Sequence, residues 1–109
     1  MIFRHLLKSK IHNAVITDTQ LEYKGSIGID KSLLEKVDLI EGEKVYILNK
    51  NNGERFETYV LEEEAGSKKI ILYGPAARKG EKGDTIIILS YAMVSEDSVK
   101  SFKPKIVNF

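Results

Sequence analysis

The sequence predicts a small, mostly β domain of the barrel class with two short helices. The chain has 109 residues, a length that supports one hydrophobic core but not two. Several short segments rich in β-branched residues are separated by turn residues, and only two short segments are typical of helices. This pattern favours a barrel over a layered α/β sheet, and we expect one domain over residues 1–109.

The first half of the chain begins with an extended segment and continues into a helix. Residues 10–24 place apolar side chains among polar neighbours, which predicts a strand with a break near Asp18 and Thr19. Asp30 then precedes a segment whose leucine and valine residues recur at helical spacing. Aspartate is a good N-cap, so a short helix is expected after Asp30, and Gly42 ends this unit.

The clearest structural signal is a β-hairpin. Residues 43–49 and 55–63 are predicted strands, and the segment Asn51-Asn52-Gly53 joins them. An Asn-Gly pair accepts the positive φ angles of a tight turn, so the two strands are expected to pair directly.

The second half contains two apolar strands. Residues 68–74 predict a short buried strand, residues 74–84 a loop, and residues 85–94 a second strand. The four consecutive apolar residues from Ile86 to Leu89 cannot all face one side of a sheet. We therefore expect this strand to be covered by the core on one face and by a partner subunit on the other.

The C-terminal part of the chain predicts a last helix and a last strand. Residues 95–102 fit a short helix capped by Ser95, with Glu96 and Asp97 near the positive end of the helix dipole. The final residues, 103–109, are predicted to form a strand.

Composition narrows the classes of function. The net charge is +1, so no nucleic-acid or membrane partner is predicted. The absence of cysteine excludes disulfides and thiolate zinc sites, and His5 and His12 lack the spacing of a metal pair on a helix, so no metal is expected. Neither a signal-peptide core nor a membrane-helix segment is visible, so a cytoplasmic location is expected.

The residues that could carry chemistry form a set of short motifs, each weak by itself. A Gly-Ser pair such as Gly25-Ser26 is usually a turn, and a threonine such as Thr58 is usually a strand residue. Together, and in this order, the motifs resemble the pyruvoyl-dependent aspartate 1-decarboxylases. They are Lys-Ser-Lys-Ile-His, Tyr-x-Gly-Ser, Asn-Gly-x-Arg-Phe-x-Thr-Tyr, Gly-Asp-x-x-Ile-Ile and Lys-Pro-x-Ile-Val.

The resemblance implies a fold, an assembly and an activity. The implied fold is a double-psi β-barrel, and the implied assembly is a homotetramer. Self-cleavage between Gly25 and Ser26 is implied to produce a β chain, residues 1–25, and an α chain, residues 26–109. The implied activity converts L-aspartate to β-alanine and CO2, which supplies pantothenate and coenzyme A biosynthesis.

By this resemblance Ser26 becomes the cofactor, a pyruvoyl group. A serine hydroxyl that attacks the preceding glycyl carbonyl gives an ester, and β-elimination with loss of ammonia leaves the pyruvoyl group. Gly25 suits this step because it has no Cβ to obstruct the attack. Thr58 matches the residue that stabilises the oxyanion of cleavage and later contacts the substrate.

The resemblance also assigns residues to decarboxylation, in which the pyruvoyl group serves as the electron sink. Lys10 and Arg55 match the basic residues that bind the substrate carboxylates, and Tyr59 matches the proton donor. Because neighbours on a regular strand point to opposite faces, Thr58 and Tyr59 can share a site only if the strand bends or the site lies between subunits.

Loop residues Gly74, Pro75 and Ala76 match the positions where the family holds its substrate with backbone groups. Two residues depart from the family's Asn-Gly-Ala-Ala pattern. Pro75 lacks an N–H, and Tyr73 offers one hydroxyl where an asparagine amide offers a donor and an acceptor. These departures leave open a slow cleavage or a requirement for a maturation partner.

Two other hypotheses about the function of the chain remain open at this point. One is a poorly processed or non-catalytic barrel homologue that acts as a binding or assembly module, a reading that Tyr73 and Pro75 favour. The other is a barrel for single-stranded nucleic acid, but that function needs basic and aromatic residues interleaved on one face, and the sequence lacks them. His12 is expected to be a structural residue with its hydrogen bonds satisfied.

Overall fold

The computed structural model of the chain describes residues 1–109. It contains eight strands, one α-helix and two 3-10 helices. The strands are β1 (Phe3–Val15), β2 (Asp18–Gln20), β3 (Ser26–Asp30), β4 (Lys44–Asn49), β5 (Arg55–Glu63), β6 (Ile70–Tyr73), β7 (Thr85–Ser95) and β8 (Lys105–Asn108); the helix is α1 (Lys31–Val37), and the 3-10 helices are Gly74–Arg78 and Glu96–Ser101. The prediction of a mostly β protein with short helices is confirmed.

The eight strands form one sheet in the order β2-β6-β3-β5-β4-β7-β1-β8. The pairs β1 with β8, β2 with β6 and β3 with β5 are parallel, and the others are antiparallel. The end strands β2 and β8 do not pair with each other, so hydrogen bonds do not close the sheet. It surrounds a single core of 17 buried apolar residues, as expected for a small barrel-like fold.

The predicted hairpin is formed by β4 and β5, which pair antiparallel from Lys44 opposite Tyr59 to Leu48 opposite Arg55. In the turn only Gly53 has a positive φ, of 76°. The Gly53 N–H donates to the Asn49 carbonyl at 2.9 Å. The hairpin prediction is therefore confirmed, but the expectation that Asn52 shares the positive φ is wrong.

Asp30 caps α1, as predicted, and also anchors the end of β3. Its carboxylate accepts hydrogen bonds from the Ser32 N–H at 2.8 Å, the Ser32 hydroxyl at 2.7 Å, the Gly66 N–H at 2.9 Å and the Lys68 N–H at 2.7 Å. Burial by itself raises the pKa of Asp30, but these hydrogen bonds outweigh it and lower the pKa to about 2. The ionised carboxylate thus ties β3 to both α1 and the turn before β6.

Strand β7 has two different apolar faces. Ile86 and Ile88 are fully buried in the core, whereas Leu89 lies outside that cluster. Farther along, Tyr91 is 46% exposed and Met93 is 68% exposed. One face of the strand is therefore covered by the core, and the other carries apolar side chains that the single chain leaves in contact with solvent.

The predicted loop and the predicted last helix in the C-terminal part of the chain both differ in part from the structure. The expected loop 74–84 begins with the 3-10 helix Gly74–Arg78, and the last helix, Glu96–Ser101, is also a 3-10 helix. Ser95 occupies the N-cap position, as predicted. Its side chain makes no capping hydrogen bond, so the prediction that Ser95 caps the helix is wrong. No helix of the chain is both long and apolar enough to span a membrane.

Candidate active site

Ser26 lies at the boundary between an exposed turn and the buried sheet. It is the first residue of β3 and is fully buried, while Lys24, two residues earlier, is exposed. The Ser26 hydroxyl donates a long hydrogen bond, 3.5 Å, to the Lys24 carbonyl. The Gly25–Ser26 peptide bond is therefore held by the sheet on one side only.

The backbone before Ser26 packs closely against the loop that follows β6. Gly74 has a φ of 67°, and a Cβ at this position would lie 2.6 Å from the Tyr23 carbonyl oxygen and 2.8 Å from the Gly25 nitrogen. Only glycine meets both conditions, because side chains disfavour this φ and the space is occupied. A Cβ on Gly25 would lie 3.5 Å from Cδ of Pro75, so Pro75 also borders this junction.

A cavity of about 430 Å³ opens beside this junction. It brings together five residues expected at the site, namely Gly25, Thr58, Tyr59, Pro75 and Ala76, with three that were not expected, namely Phe56, Glu57 and Lys79. Ser26 does not line the cavity but follows Gly25 directly. Cleavage between these residues would place the new terminus of β3 at the cavity wall.

Thr58 and Tyr59 both border the cavity although they are neighbours on β5. β5 pairs with β4 along residues 55–59, but its pairing with β3 begins only at Val60, opposite Ile27. One edge of β5 is thus unpaired along this stretch, and the cavity lies at that edge. Side chains from both faces of the strand can border a space at its edge, which resolves the conflict with strand geometry.

The charged residues at the cavity each have an ion-pair partner. Lys79 lies 3.3 Å from Glu54 through its Nζ, and Glu57 lies 3.2 Å from Nζ of Lys44. The hydrogen bond from Lys44 to Glu57 is the main reason that the pKa of Lys44 is raised. Lys79 is the one lysine or arginine among the residues that line the cavity. Nothing in its local sequence distinguishes it from Lys82, the other lysine of residues 74–84.

Lys10 and Arg55, the two predicted carboxylate-binding residues, do not border this cavity. Lys10 lies within β1, opposite Leu89 of β7 and Ile106 of β8. Arg55 lines a separate cavity of about 270 Å³ together with His5, Tyr46, Leu89 and Tyr91. Within one chain the two cations are therefore separate from the Gly25 junction.

Tyr73, the residue that departs from the family pattern, is held by two contacts. Its hydroxyl donates a 2.6 Å hydrogen bond to Oε2 of Glu63, and its ring lies 4.7 Å from the Tyr23 ring, centroid to centroid. Burial is the main reason that the pKa of Tyr73 is raised, and the hydrogen bond and charge of Glu63 raise it further. The phenol therefore remains protonated and donates to Glu63.

His12 differs from its expected role. Its Nδ1 is buried without a hydrogen-bond partner in the chain, although a buried polar atom usually has one. The expectation of a histidine with all its hydrogen bonds satisfied is therefore wrong.

Comparison with known proteins agrees with the motifs found in the sequence. A family model described as aspartate decarboxylase matches residues 2–109. Proteins named aspartate 1-decarboxylase include one from Syntrophomonas wolfei, 52% identical over 97% of this chain and 90% of that protein, and one from Thermoanaerobacter pseudethanolicus, 51% identical over 95% and 89%. A third, from Prosthecochloris aestuarii, is 54% identical over 94% of this chain and 80% of its own. With family similarity over nearly its whole length and a Gly-Ser junction at the wall of a cavity, the chain belongs to the aspartate decarboxylase family.

Proposed function

We propose that this chain is an aspartate 1-decarboxylase that cleaves itself between Gly25 and Ser26 and then converts L-aspartate to β-alanine and CO2. This reaction would supply pantothenate and coenzyme A biosynthesis. The observation that carries the proposal is the position of Gly25, which borders the same cavity as Thr58 and Tyr59. One side of the proposed scissile bond thus borders the same space as the threonine assigned to cleavage and the tyrosine assigned to proton donation.

Self-cleavage uses groups that are already present at this junction. The Ser26 hydroxyl attacks the Gly25 carbonyl carbon, and the peptide nitrogen leaves, which converts the amide into an ester. β-Elimination then breaks the bond between Cβ of residue 26 and the ester oxygen, which frees the Gly25 carboxylate. Water displaces ammonia from the remaining dehydroalanine and leaves a pyruvoyl group at residue 26.

The residues around Gly25 fit such a group. Gly74 approaches the junction without a side chain, the Pro75 ring borders it, and Thr58 lies at the cavity wall. When formed, the pyruvoyl group supplies an electron sink for loss of CO2. During cleavage Thr58 donates to the oxyanion that develops at Gly25, and a preorganised donor of this kind contributes about 3 kcal/mol.

Tyr59 supplies the proton that replaces CO2 in the product. Tyr59 borders the cavity and is 39% exposed, which suits a group that takes protons from solvent and delivers them to a substrate in the cavity. A positioned donor of this type accelerates a reaction by a factor of about 10² to 10⁴.

The substrate carboxylates require cations at the cavity. Lys79 is contributed by the chain that contains the Gly25 junction. Lys10 and Arg55 are proposed to come from a neighbouring subunit of a homotetramer, where one site combines residues of two chains. The exposed apolar residues Tyr91 and Met93, near the cavity that contains Arg55, support an interface on this side of the sheet.

Turnover by the purified protein tests the proposal. We expect wild-type protein to release β-alanine and CO2 from L-aspartate, and Ser26→Ala to release neither. Parallel reactions with L-glutamate measure how strictly the site selects the shorter dicarboxylate. Activity that appears only after addition of a cell extract would indicate a maturation partner. An intact, inactive chain under all conditions would instead support the binding or assembly module.

A further inference from the structure

Gly28 is surrounded by side chains that occupy the place of its missing Cβ. A Cβ on Gly28 would lie 2.0 Å from Oε2 of Glu63 and 2.9 Å from Cε2 of Tyr73. Gly28 is not among the glycines with a positive φ. Glycine is therefore needed here for space and not for backbone conformation, and the Tyr73–Glu63 pair fills that space.

The same face of the sheet carries Ser26. Ser26 lies directly opposite Tyr73 in the antiparallel pairing of β3 with β6. Opposite residues in such a pair share a face, and so do residues two apart on one strand. Ser26, Gly28 and Tyr73 therefore lie on one face, and Glu63 reaches it from β5 to accept the Tyr73 hydrogen bond.

Tyr73 also begins the segment that supports the backbone before the scissile bond. Its ring packs against Tyr23. Gly74 has no room for a Cβ beside the Tyr23 carbonyl and the Gly25 nitrogen, and the Pro75 ring borders the space next to Gly25. The last residue of β6 and the two residues that follow it thus lie beside the segment from Tyr23 to Gly25. The hydrogen bond to Glu63 fixes the first of these three residues to β5.

We propose that the Tyr73–Glu63 hydrogen bond, seated over Gly28, is a positioning device that holds the Tyr23–Gly25 segment for attack by Ser26. This inference rests on the proposed self-cleavage. An intramolecular attack depends on holding the two reacting atoms within about 3.5 Å and in line. Loss of the hydrogen bond frees the Tyr73 ring to turn, and the Tyr23 ring that packs on it moves with it.

Tyr73 is a positioning residue and not a catalytic one. Its hydroxyl is committed to Glu63 and therefore does not donate to the Gly25 carbonyl. Because the phenol remains protonated, it does not act as a base toward Ser26. Tyr73 also does not line the cavity in which decarboxylation is proposed.

The test measures the rate of self-cleavage in a set of full-length variants. Tyr73→Phe keeps the ring and removes the hydrogen bond, Glu63→Leu removes the acceptor, and Glu63→Gln removes the charge but keeps an acceptor. Each chain is made by cell-free synthesis, and the intact and cleaved masses are followed over time. Glu62→Gln is the matched control because Glu62 is the exposed neighbour of Glu63 on β5. Thermal unfolding of each Ser26→Ala counterpart shows whether the variant folds.

The proposal predicts that Tyr73→Phe and Glu63→Leu cleave about tenfold more slowly than wild type, the effect of losing one hydrogen bond to a charged acceptor. Glu63→Gln recovers most of the rate, Glu62→Gln matches wild type, and the Tyr73→Phe/Glu63→Leu double variant is no slower than either single variant. A merely structural role would instead lower the thermal stability and the cleavage rate in proportion, with no rescue by Glu63→Gln.

Two results overturn the positioning role and leave the proposed function intact. The first is a wild type that cleaves while a folded Tyr73→Phe cleaves at the same rate. The second is an equal slowing by Glu62→Gln, which would indicate a general effect of acidic charge. A wild type that never cleaves overturns both the proposed function and this inference. If Tyr73→Phe does not fold, the comparison of Glu63→Gln with Glu63→Leu decides the question.

Discussion

Ser26 and Tyr73 lie directly opposite each other in the pairing of β3 with β6. The proposed scissile bond is therefore the last peptide bond before β3 begins. On its C-terminal side, β3 is paired with both β5 and β6. On its N-terminal side the chain forms an exposed turn. Cleavage here separates the two proposed chains without removing any strand from the sheet.

This position predicts that the fragments 1–25 and 26–109 stay associated after cleavage. The first fragment contains β1, which pairs with β7 and β8, and its Ile11 and Ala14 side chains are fully buried in the core. We expect gel filtration under native conditions to give one species that contains both fragments, while a denaturing gel separates them. Loss of the 1–25 fragment under native conditions would contradict this expectation.

The hydrogen bonds of Asp30 predict that stability depends on acid pH. The pKa of Asp30 falls from 3.8 to about 2 on folding. A depressed pKa stabilises the fold at pH values above the unfolded pKa, and that stabilisation disappears as the pH falls through the folded pKa. The shift corresponds to about 2 kcal/mol. We expect urea unfolding at neutral pH to show that Asp30→Asn is less stable than wild type by about this free energy.

The difference between wild type and Asp30→Asn should shrink as the pH falls from about 4 to about 2 and below, because the folded Asp30 carboxylate is progressively protonated and loses its charge. Asp97→Asn, an exposed aspartate beyond β7, is the control and should unfold like wild type. A stability difference that stays constant over this pH range would contradict the assignment of Asp30.

The close approach of Gly74 to Gly25 predicts that an added methyl group disturbs self-cleavage. Gly74→Ala carries a backbone cost of about 1–2 kcal/mol from its positive φ, and its Cβ would collide with the Tyr23 carbonyl oxygen. We expect at least a tenfold slower cleavage by intact mass, since the collision moves the residues that adjoin the scissile bond. Gly42→Ala is the matched control because Gly42 has a φ of 89° and nothing within 4 Å of an added Cβ. Equal cleavage rates in the two variants would show that the contact with Tyr23 has no role.

The position of Lys79 at the cavity predicts a role in binding the substrate. We expect Lys79→Ala to raise the KM for L-aspartate about tenfold and to change kcat by less than about twofold, as for loss of a charge-assisted hydrogen bond made in both ground and transition states. Lys82→Ala, an exposed lysine of the same loop outside the cavity, should match wild type. An unchanged KM for Lys79→Ala would mean that the substrate is bound by other cations.

Local sequence signals predicted the elements that depend on local interactions. Asp30 capped the expected helix, and the turn with Gly53 joined the expected hairpin. Non-local pairing was not visible in the sequence. The register that places Ser26 opposite Tyr73 connects residues far apart in the chain, and the shared cavity of Thr58 and Tyr59 depends on where β3 begins to pair with β5.

The candidate site was predicted only in part, because its residues also come from parts of the chain that only the folded sheet brings together. Resemblance to the family identified residues around the Gly25 junction, but it gave no sign of Lys79, which is one of two lysines in its loop. It also selected Lys10 and Arg55, which one chain does not bring to the cavity. The Tyr73–Glu63 hydrogen bond was likewise not predictable, because the two residues are on different strands and only the folded sheet brings their side chains together.

The most direct test of the central claim is the intact mass of the purified wild-type chain beside Ser26→Ala under denaturing conditions, before and after warm incubation. We predict two fragments from the wild type, one of residues 1–25 and one of residues 26–109 with a pyruvoyl group at its start, and a single uncut chain from Ser26→Ala. A wild type that remains one chain of full mass, with and without a cell extract, would contradict self-cleavage and the activity that depends on it.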